Sequence, residues 1–378
     1  MRPTIADYWE EKINDAKTIG ELNKLQLELQ SYRVLDPACG SGNFLYVAYQ
    51  ELKRIEQLLI QKIADKRKQP PSQMEMGFVT PLQFFGMDTN RFAVQLARVT
   101  MTIARKIAID KFELTEPALP LDSLDQNILC QDALFTDWPR ADAIIGNPPF
   151  LGGKHARLAL GDEYMEKVFA KFSDVKDSVD FCSYWFRKAH DHIDKNGRAG
   201  LVGTNSISQG ISRTASLEYI VKNGGFIYES ISTQPWSGEE NVHVILVNWA
   251  KHDPNHYILD NQEVGSINSS LTQLTDVTPA KRLNANLNQC FQGIIPVGKG
   301  FLITETQVED WIKIDPKNKD ILKLFSMGAN LAQNINGKPD RWIIDFNKLS
   351  LEEASEYKLP FEHVKTYVKP ERDKNRMT

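Results

Sequence analysis

Residues 33–44 read Arg33-Val34-Leu35-Asp36-Pro37-Ala38-Cys39-Gly40-Ser41-Gly42-Asn43-Phe44. A short strand-forming run ends at a carboxylate, a bend of small residues follows, and a helical pattern then extends from Phe44 towards Lys66. In such a strand–turn–helix, Gly40 and Gly42 let the backbone come close to a ligand, and the helix start presents N–H groups without internal partners. Taken alone, the same glycines would serve as a tight turn.

Working outward, a second strand is expected over Leu82–Met87 with Asp88 at its end, and a helix over Arg91–Ile109. A third strand, Asn127–Cys130, ends near Asp132, and a fourth, Ala141–Gly146, runs into Asn147-Pro148-Pro149-Phe150. A helix over Ser178–Ile193 precedes strands at Gly200–Gly203, Phe226–Ile231 and Val242–Trp249. Strands alternating with helices predict an α/β fold with a Rossmann-like, doubly wound sheet. The connection Ser232–Asn241 is too short for a helical crossover, so the final strand is expected antiparallel.

Upstream, Ile5 to about Gln30 reads as one amphipathic helix with Ile13, Leu22, Leu25 and Leu29 inward. After Trp249 the texture changes, and residues 254–300 are rich in Asn, Gln, Ser and Thr. The expected organisation is a helical lead-in over 1–32, an α/β domain over 33–250 and a mixed α+β domain over 251–378.

At the carboxyl edge of such a sheet, strand-end residues converge near the topological switch point. Asp88 is placed to accept hydrogen bonds from both hydroxyls of a ribose, and Asp132, followed by Ala133, to accept the amino group of a cofactor adenine. Either aspartate by itself would equally be a helix cap or turn residue. A phosphate-binding fingerprint fits less well. The third position after Gly42 is Leu45, and no Lys-Ser/Thr pair follows, which excludes a P-loop. A methionine-derived cofactor has no phosphates and needs neither.

In Asn147-Pro148-Pro149-Phe150 two prolines fix the backbone and remove two donors, which leaves carbonyls free. The Asn147 side-chain oxygen and the Pro148 carbonyl together suit an amino group with two hydrogens. They would stabilise the positive charge that grows on that nitrogen during methyl transfer. Phe150 offers a flat face for stacking on a base. Without the glycine bend, the same four residues would read as a rigid surface turn.

The remaining signals are weaker. Gly203-Thr204-Asn205-Ser206 would line a base pocket or simply begin a loop. Asp180 would face the methyl-donor side or cap a helix, and Trp236 with Ser237–Asn241 would form a loop near the base. Lys365, Lys369, Arg372, Lys374 and Arg376 form a basic tail suited to phosphates or to a solvated face.

The chain has 378 residues, 42% of them hydrophobic, ample for a sizeable core and roughly two domains. Its formal charge of −4 means that any nucleic-acid surface is local. Cys39, Cys130, Cys182 and Cys290 show no CxxC spacing, so neither a disulfide framework nor a metal site is indicated. His190 and His192 would point to different sides of a helix. Scattered thiols point to the cytoplasm. The start lacks the apolar core of a signal peptide, and no apolar run is long enough to span a membrane.

DPACGSGNF at Asp36–Phe44 and NPPF at Asn147–Phe150 resemble motifs I and IV of the class I amino-methyltransferases that act on DNA. The resemblance implies seven strands with the last antiparallel, and S-adenosyl-L-methionine held by Asp36, Pro37, Ala38, Cys39, Gly40, Gly42, Asn43, Phe44, Asp88, Asp132 and Ala133. It also implies catalysis by Asn147, Pro148, Pro149 and Phe150 on the exocyclic amino group of adenine in double-stranded DNA.

ADYWE at Ala6–Glu10, Arg33–Glu56, GLVGTNSISQG at Gly200–Gly210 and, more weakly, VKPERDKNR at Val368–Arg376 resemble the MmeI-like (type IIL) restriction-modification enzymes. In that family a nuclease precedes the methyltransferase and a target-recognition domain follows it. The chain shows no PD…(D/E)xK set, and no FxTP-type segment precedes Asp36. The resemblance therefore implies a nuclease and further recognition segments outside this chain. A methyltransferase acting on RNA or on protein glutamine, and an inactive remnant that only binds cofactor or DNA, are the alternatives.

Overall fold

Short strands buried on both faces send neighbouring side chains into different cores. Val34 joins one apolar cluster and Leu35 the other, and Ala143 and Ile145 oppose Ile144 in the same way. The computed structural model describes residues 1–68, 77–112, 124–175, 178–235, 243–274, 283–287, 289, 293–296, 298–333 and 336–375.

The elements run as a π-helical turn at Arg2–Ala6, α1 (Asp7–Asp15), α2 (Ile19–Ser31), β1 (Val34–Asp36), α3 (Asn43–Arg67), β2 (Phe84–Asp88) and α4 (Arg91–Phe112). Next come β3 (Ile128–Cys130), β4 (Ala143–Gly146), α5 (Gly153–Leu160), α6 (Asp162–Lys171), α7 (Ser183–His192) and β5 (Arg198–Thr204). Then follow α8 (Gly210–Ala215), α9 (Leu217–Lys222), β6 (Phe226–Pro235), β7 (His243–Ala250), β8 (Tyr257–Leu259) and β9 (Gln262–Val264).

The sheet order is β3-β2-β1-β4-β5-β7-β6-β8-β9. Strands β1 to β5 pair in parallel, with Val34 level with Phe84 and Ala143, and Ala143 level with Arg198. β7 lies antiparallel between β5 and β6, as expected for the last of seven strands. The sheet nevertheless has nine strands, because a hairpin of β8 and β9 adds to the free edge of β6.

That hairpin carries the sheet past the expected boundary at 250/251. The chain divides into compact units Met1–Ala280 and Lys281–Thr378. The lead-in over 1–32 likewise belongs to the first unit: Ile5, Trp9, Ile13, Leu22, Leu25 and Leu29 are buried in one cluster with residues of α3, α4 and the strands. It is two helices rather than one. Thr18 accepts from the Glu21 backbone at 3.2 Å while Glu21 accepts from the Thr18 backbone at 2.9 Å, a capping box that restarts the chain as α2.

The second unit holds β10 (Leu302–Ile303), α10 (Glu305–Ile314), β11 (Leu322–Phe325), α11 (Gly328–Gln333), β12 (Arg341–Ile344), α12 (Leu351–Ser355), α13 (Lys358–Tyr367) and α14 (Lys369–Asn375). Its antiparallel sheet, ordered β10-β12-β11, packs around Ile303, Val308, Ile321, Leu322, Ile344 and Tyr357, an α+β arrangement. Among the described residues, no helix is long and apolar enough to cross a membrane.

Candidate active site

The bend after β1 is tied down from several directions. Asp36 Oδ1 accepts the Ala38 N–H at 3.0 Å, the Cys39 N–H donates to Met87 O at 3.0 Å, and the Gly40 N–H donates to Asp88 Oδ2 at 3.1 Å. The two glycines differ in purpose. Gly40 has φ +51° and open space where a Cβ would stand, so its backbone conformation is what demands glycine. Gly42 has φ +87°, and a Cβ there would also sit 3.0 Å from Ala97 Cα. Its absent side chain brings α3 against α4, a packing requirement that stands beside the ligand approach expected of both glycines.

Asp88 Oδ1 accepts the Asn90 N–H at 2.7 Å, so each oxygen of this carboxylate is held by one backbone donor. Asp132 is held in the same manner: Oδ1 takes the Leu134 N–H at 2.8 Å, and Oδ2 takes the Tyr164 hydroxyl at 2.9 Å. A carboxylate oxygen has two lone-pair sites, so both residues keep acceptor capacity towards a ligand.

Pro37, Ala38, Asp88, Asp132, Ala133, Asn147 and Pro149 line one cavity of about 450 Å³, a volume suited to a small ligand. The start of the bend at Pro37-Ala38, the acidic strand ends and the proline corner therefore face one cleft, while Gly40 and Gly42 are not in its lining. The walls are completed by Thr89, Gln131, Leu151, Leu160, Tyr164, Phe181 and Trp185. Of these, Thr89 and Gln131 adjoin expected residues, and Leu151 follows Phe150 directly. Leu160 and Tyr164 come from α5 and α6, helices the sequence reading does not contain. Trp185 is anchored by its indole N–H to Pro37 O at 3.1 Å.

Other expected residues stand behind this lining. Asp36 is 1% exposed beneath the bend. Burial, the largest cause, raises its carboxyl from 3.8 to about 7; the Ala38 N–H opposes the rise and the Asp88 charge adds to it. Cys39 is buried against Gly86, and burial pushes its thiol up as well. Asn43 is exposed. Phe44 lines a separate cavity of about 150 Å³ that also takes in Gly200–Val202 and Leu246–Asn248. Pro148 is buried and Phe150 half-buried, its side chain packed against the apolar cluster that includes Leu35 and Ile144.

The Asn147 Oδ1 atom is buried and has no hydrogen-bond partner. A buried polar oxygen without a partner is uncommon in native interiors, and this one belongs to a residue of the cavity lining. Gly146 before it has φ +155°, and a Cβ there would stand 2.6 Å from Asp36 Oδ1. The strand end is glycine because β1 and β4 touch at this point.

Several weaker expectations resolve into structural roles. Asp180 is buried; its oxygens accept from the Cys182 N–H and from the Thr204 hydroxyl, at 3.3 and 2.8 Å, and it does not line the cavity. Its neighbour Phe181 does. Gly203–Ser206 likewise stay outside the lining, although Asn205 Oδ1 is buried without a partner. His190 and His192 bond to different carbonyls, Asn223 O and Pro139 O. In the basic tail Lys365 pairs with Glu362, and Arg372 lies over the Phe301 ring. Trp236 with Ser237–Asn241, Cys290 and Arg376 lie outside the described residues.

The shape and donor set fit S-adenosylmethionine: apolar and aromatic walls, two pinned carboxylates on adjacent strand ends, and an unsatisfied amide oxygen across from them.

Comparison with known proteins identifies the family. The family described as "MmeI, DNA-methyltransferase domain" matches residues 10–260, about two thirds of the chain. DNA methyltransferase A of Bacillus subtilis (strain 168) is 26% identical over 369 residues, which span 89% of this chain and 40% of that protein. A putative type II restriction enzyme and methyltransferase of Methanocaldococcus jannaschii is 29% identical over 110 residues, 28% of this chain and 9% of that one. The type IIL restriction-modification enzyme MmeI, solved in complex with DNA, superposes with a TM-score of 0.70 at 23% identity, over 97% of this chain and 52% of that one. The chain thus spans about half or less of the length of these relatives, and it belongs to the MmeI DNA-methyltransferase-domain family.

Proposed function

We propose that the unit over residues 1–280 binds S-adenosylmethionine and transfers its methyl group to the exocyclic amino nitrogen of adenine in double-stranded DNA. The unit over 281–378 is read as a portion of a target-recognition domain, and the chain as part of a cytoplasmic restriction-modification enzyme. The observation that carries the reading is Asn147, whose buried Oδ1 has no partner, in the lining of the cavity that also takes in Asp88 and Asp132.

Asp88 would hold the ribose hydroxyls and Asp132 the adenine amino group of the cofactor. Trp185, Phe181, Leu160 and Tyr164 would exclude water from its rings. When bound, the cofactor supplies a methyl on a cationic sulfur that leaves as a neutral thioether. A target adenine has to leave the duplex stack to reach the corner. Asn147 Oδ1 and the Pro148 carbonyl would then accept its two amino hydrogens and orient the nitrogen lone pair. As that nitrogen gains the methyl it becomes cationic, and the two fixed acceptors stabilise it until one proton passes to water.

The family match favours DNA over RNA or a protein glutamine as substrate. The test is transfer of labelled methyl to unmodified DNA, RNA and protein, followed by nucleoside analysis. N6-methyladenine in DNA is the expected product, and label confined to RNA or protein would overturn the reading.

A further inference from the structure

Helices α5 and α6 form an excursion between β4 and α7, and Tyr164 of α6 reaches from it to Asp132. We infer that Tyr164 is a specificity-determining residue: its phenol locks the Asp132 carboxylate so that this wall admits a purine with a 6-amino group and rejects one with a 6-oxo group. The inference rests on the reading of Asp132 as the acceptor for the cofactor's adenine.

A carboxylate held through one oxygen still rotates about its own bond. Here Leu134 N–H takes Oδ1 and Tyr164 hydroxyl takes Oδ2, so the plane is set from both sides. The Tyr164 ring is itself braced, edge-on against Phe135 at 5.6 Å and tilted against Phe181 at 6.3 Å. Burial and the Asp132 charge push the phenol up from its ordinary range, which keeps it a donor. Asp132 must then be the acceptor in this pair, and its free lone pairs accept only.

A 6-amino purine offers N–H at that point. A 6-oxo purine offers a second acceptor there, and its compensating N–H lies one ring position away. A swinging carboxylate would re-pair with that displaced donor, whereas a locked one is left facing an acceptor. Sites built on hydrogen-bond complementarity discriminate strongly because a mismatch leaves buried groups unpaired.

The experiment is calorimetric titration of the full chain with S-adenosylhomocysteine and with its inosine counterpart, S-inosylhomocysteine. The unaltered protein should prefer the amino ligand. Tyr164→Phe, which removes a single oxygen, should cut that preference by about tenfold, chiefly because the freed carboxylate re-pairs with the displaced N–H of the inosine ligand and binds it more tightly. Asp132→Asn turns one acceptor into a donor and should reverse the preference.

An unchanged ratio in Tyr164→Phe, with Asp132→Asn reversing it, overturns the role of Tyr164 and leaves the Asp132 reading standing. An unchanged ratio in Asp132→Asn, or no binding of S-adenosylhomocysteine by the unaltered protein, overturns both.

Discussion

The two sides of the cleft treat their polar groups in opposite ways. On the cofactor side every oxygen of Asp88 and Asp132 already holds a donor from the protein. At the proline corner the Asn147 oxygen is buried and holds none. Groups already held by the protein form a stiff mould whose geometry exists before any ligand arrives. An unsatisfied one costs stability, on the order of 1–3 kcal/mol, that only the right donor returns. The contrast separates binding from chemistry: one side is built to hold, the other to respond.

The largest expected effect breaks the responsive side. Asn147→Ala removes the acceptor meant for the target amino group. It should lower the methyl-transfer rate by about a hundredfold to a thousandfold, the usual loss for a charge-stabilising partner at a reacting centre. Cofactor affinity should change little, and the melting temperature should hold or rise because a buried orphan is gone. Single-turnover transfer of labelled methyl, beside calorimetry, checks both halves. A variant of undiminished rate breaks the comparison outright.

On the holding side, Asp88→Ala should do the reverse. Losing charge-assisted bonds costs about 1.5–3 kcal/mol, tenfold to a hundredfold in cofactor dissociation constant. Gly40 and Asn90 also lose their anchor, so thermal stability should fall with affinity. Turnover at saturating cofactor should be affected less than affinity. If affinity were unaltered, Asp88 would be a turn residue only.

How far this division was legible in the sequence depends on the element. The strand ends at Asp36, Asp88, Asp132 and Asn147 are readable, because each apolar run stops at a turn former and alternation with helices orders the strands. The responsive oxygen is readable only as a residue type, since its lack of a partner is a fact of packing. The wall of Leu160 and Tyr164 escapes notice because α5 and α6 are short and lie where the residues after Phe150 give no strand–helix alternation. The hairpin of β8 and β9 escapes for a different reason. Its residues are half-buried or exposed and lack the alternation that marks a strand. The purpose of Gly42 depends on Ala97, a contact between helices that local pattern does not encode.

A smaller effect tests Asp36, the buried member of the cofactor side that is only half satisfied, since its Oδ2 has no partner. Its carboxyl is raised to about 7. Between about pH 4 and 7 the native state keeps a proton that the unfolded chain has shed, so stability falls as pH climbs through that window. The slope is at most about 1.4 kcal/mol per pH unit for one group. Asp36→Asn should flatten this slope in urea titrations of the ligand-free protein. Identical slopes in the two proteins would show that Asp36 ionises normally.

The smallest effect sharpens the mould itself. Lys188 Nζ donates to the carbonyls of Ala133, Leu134 and Thr136 at 2.6, 3.3 and 2.6 Å, and it lies 4.8 Å from the Trp138 ring centroid. It thereby holds the turn that carries Asp132. Burial, with Lys171 adding to it and Asp137 and Asp132 opposing, lowers this ammonium to about 8. Above pH 8 the native state sheds a proton that the unfolded chain keeps until about 10.5, so this group favours the fold increasingly as pH rises. Its grip on the carbonyls slackens over the same range, because a neutral amine donates more weakly. Stability and cofactor affinity should therefore move apart above pH 8, with affinity falling a few-fold. Lys188→Met should show the weaker affinity, by about threefold to fivefold, at every pH and lose the divergence. Parallel titrations of binding and unfolding from pH 7 to 9.5 check this. If both quantities fell together in the unaltered protein, the turn would depend on Lys188 for its folding rather than for its aim.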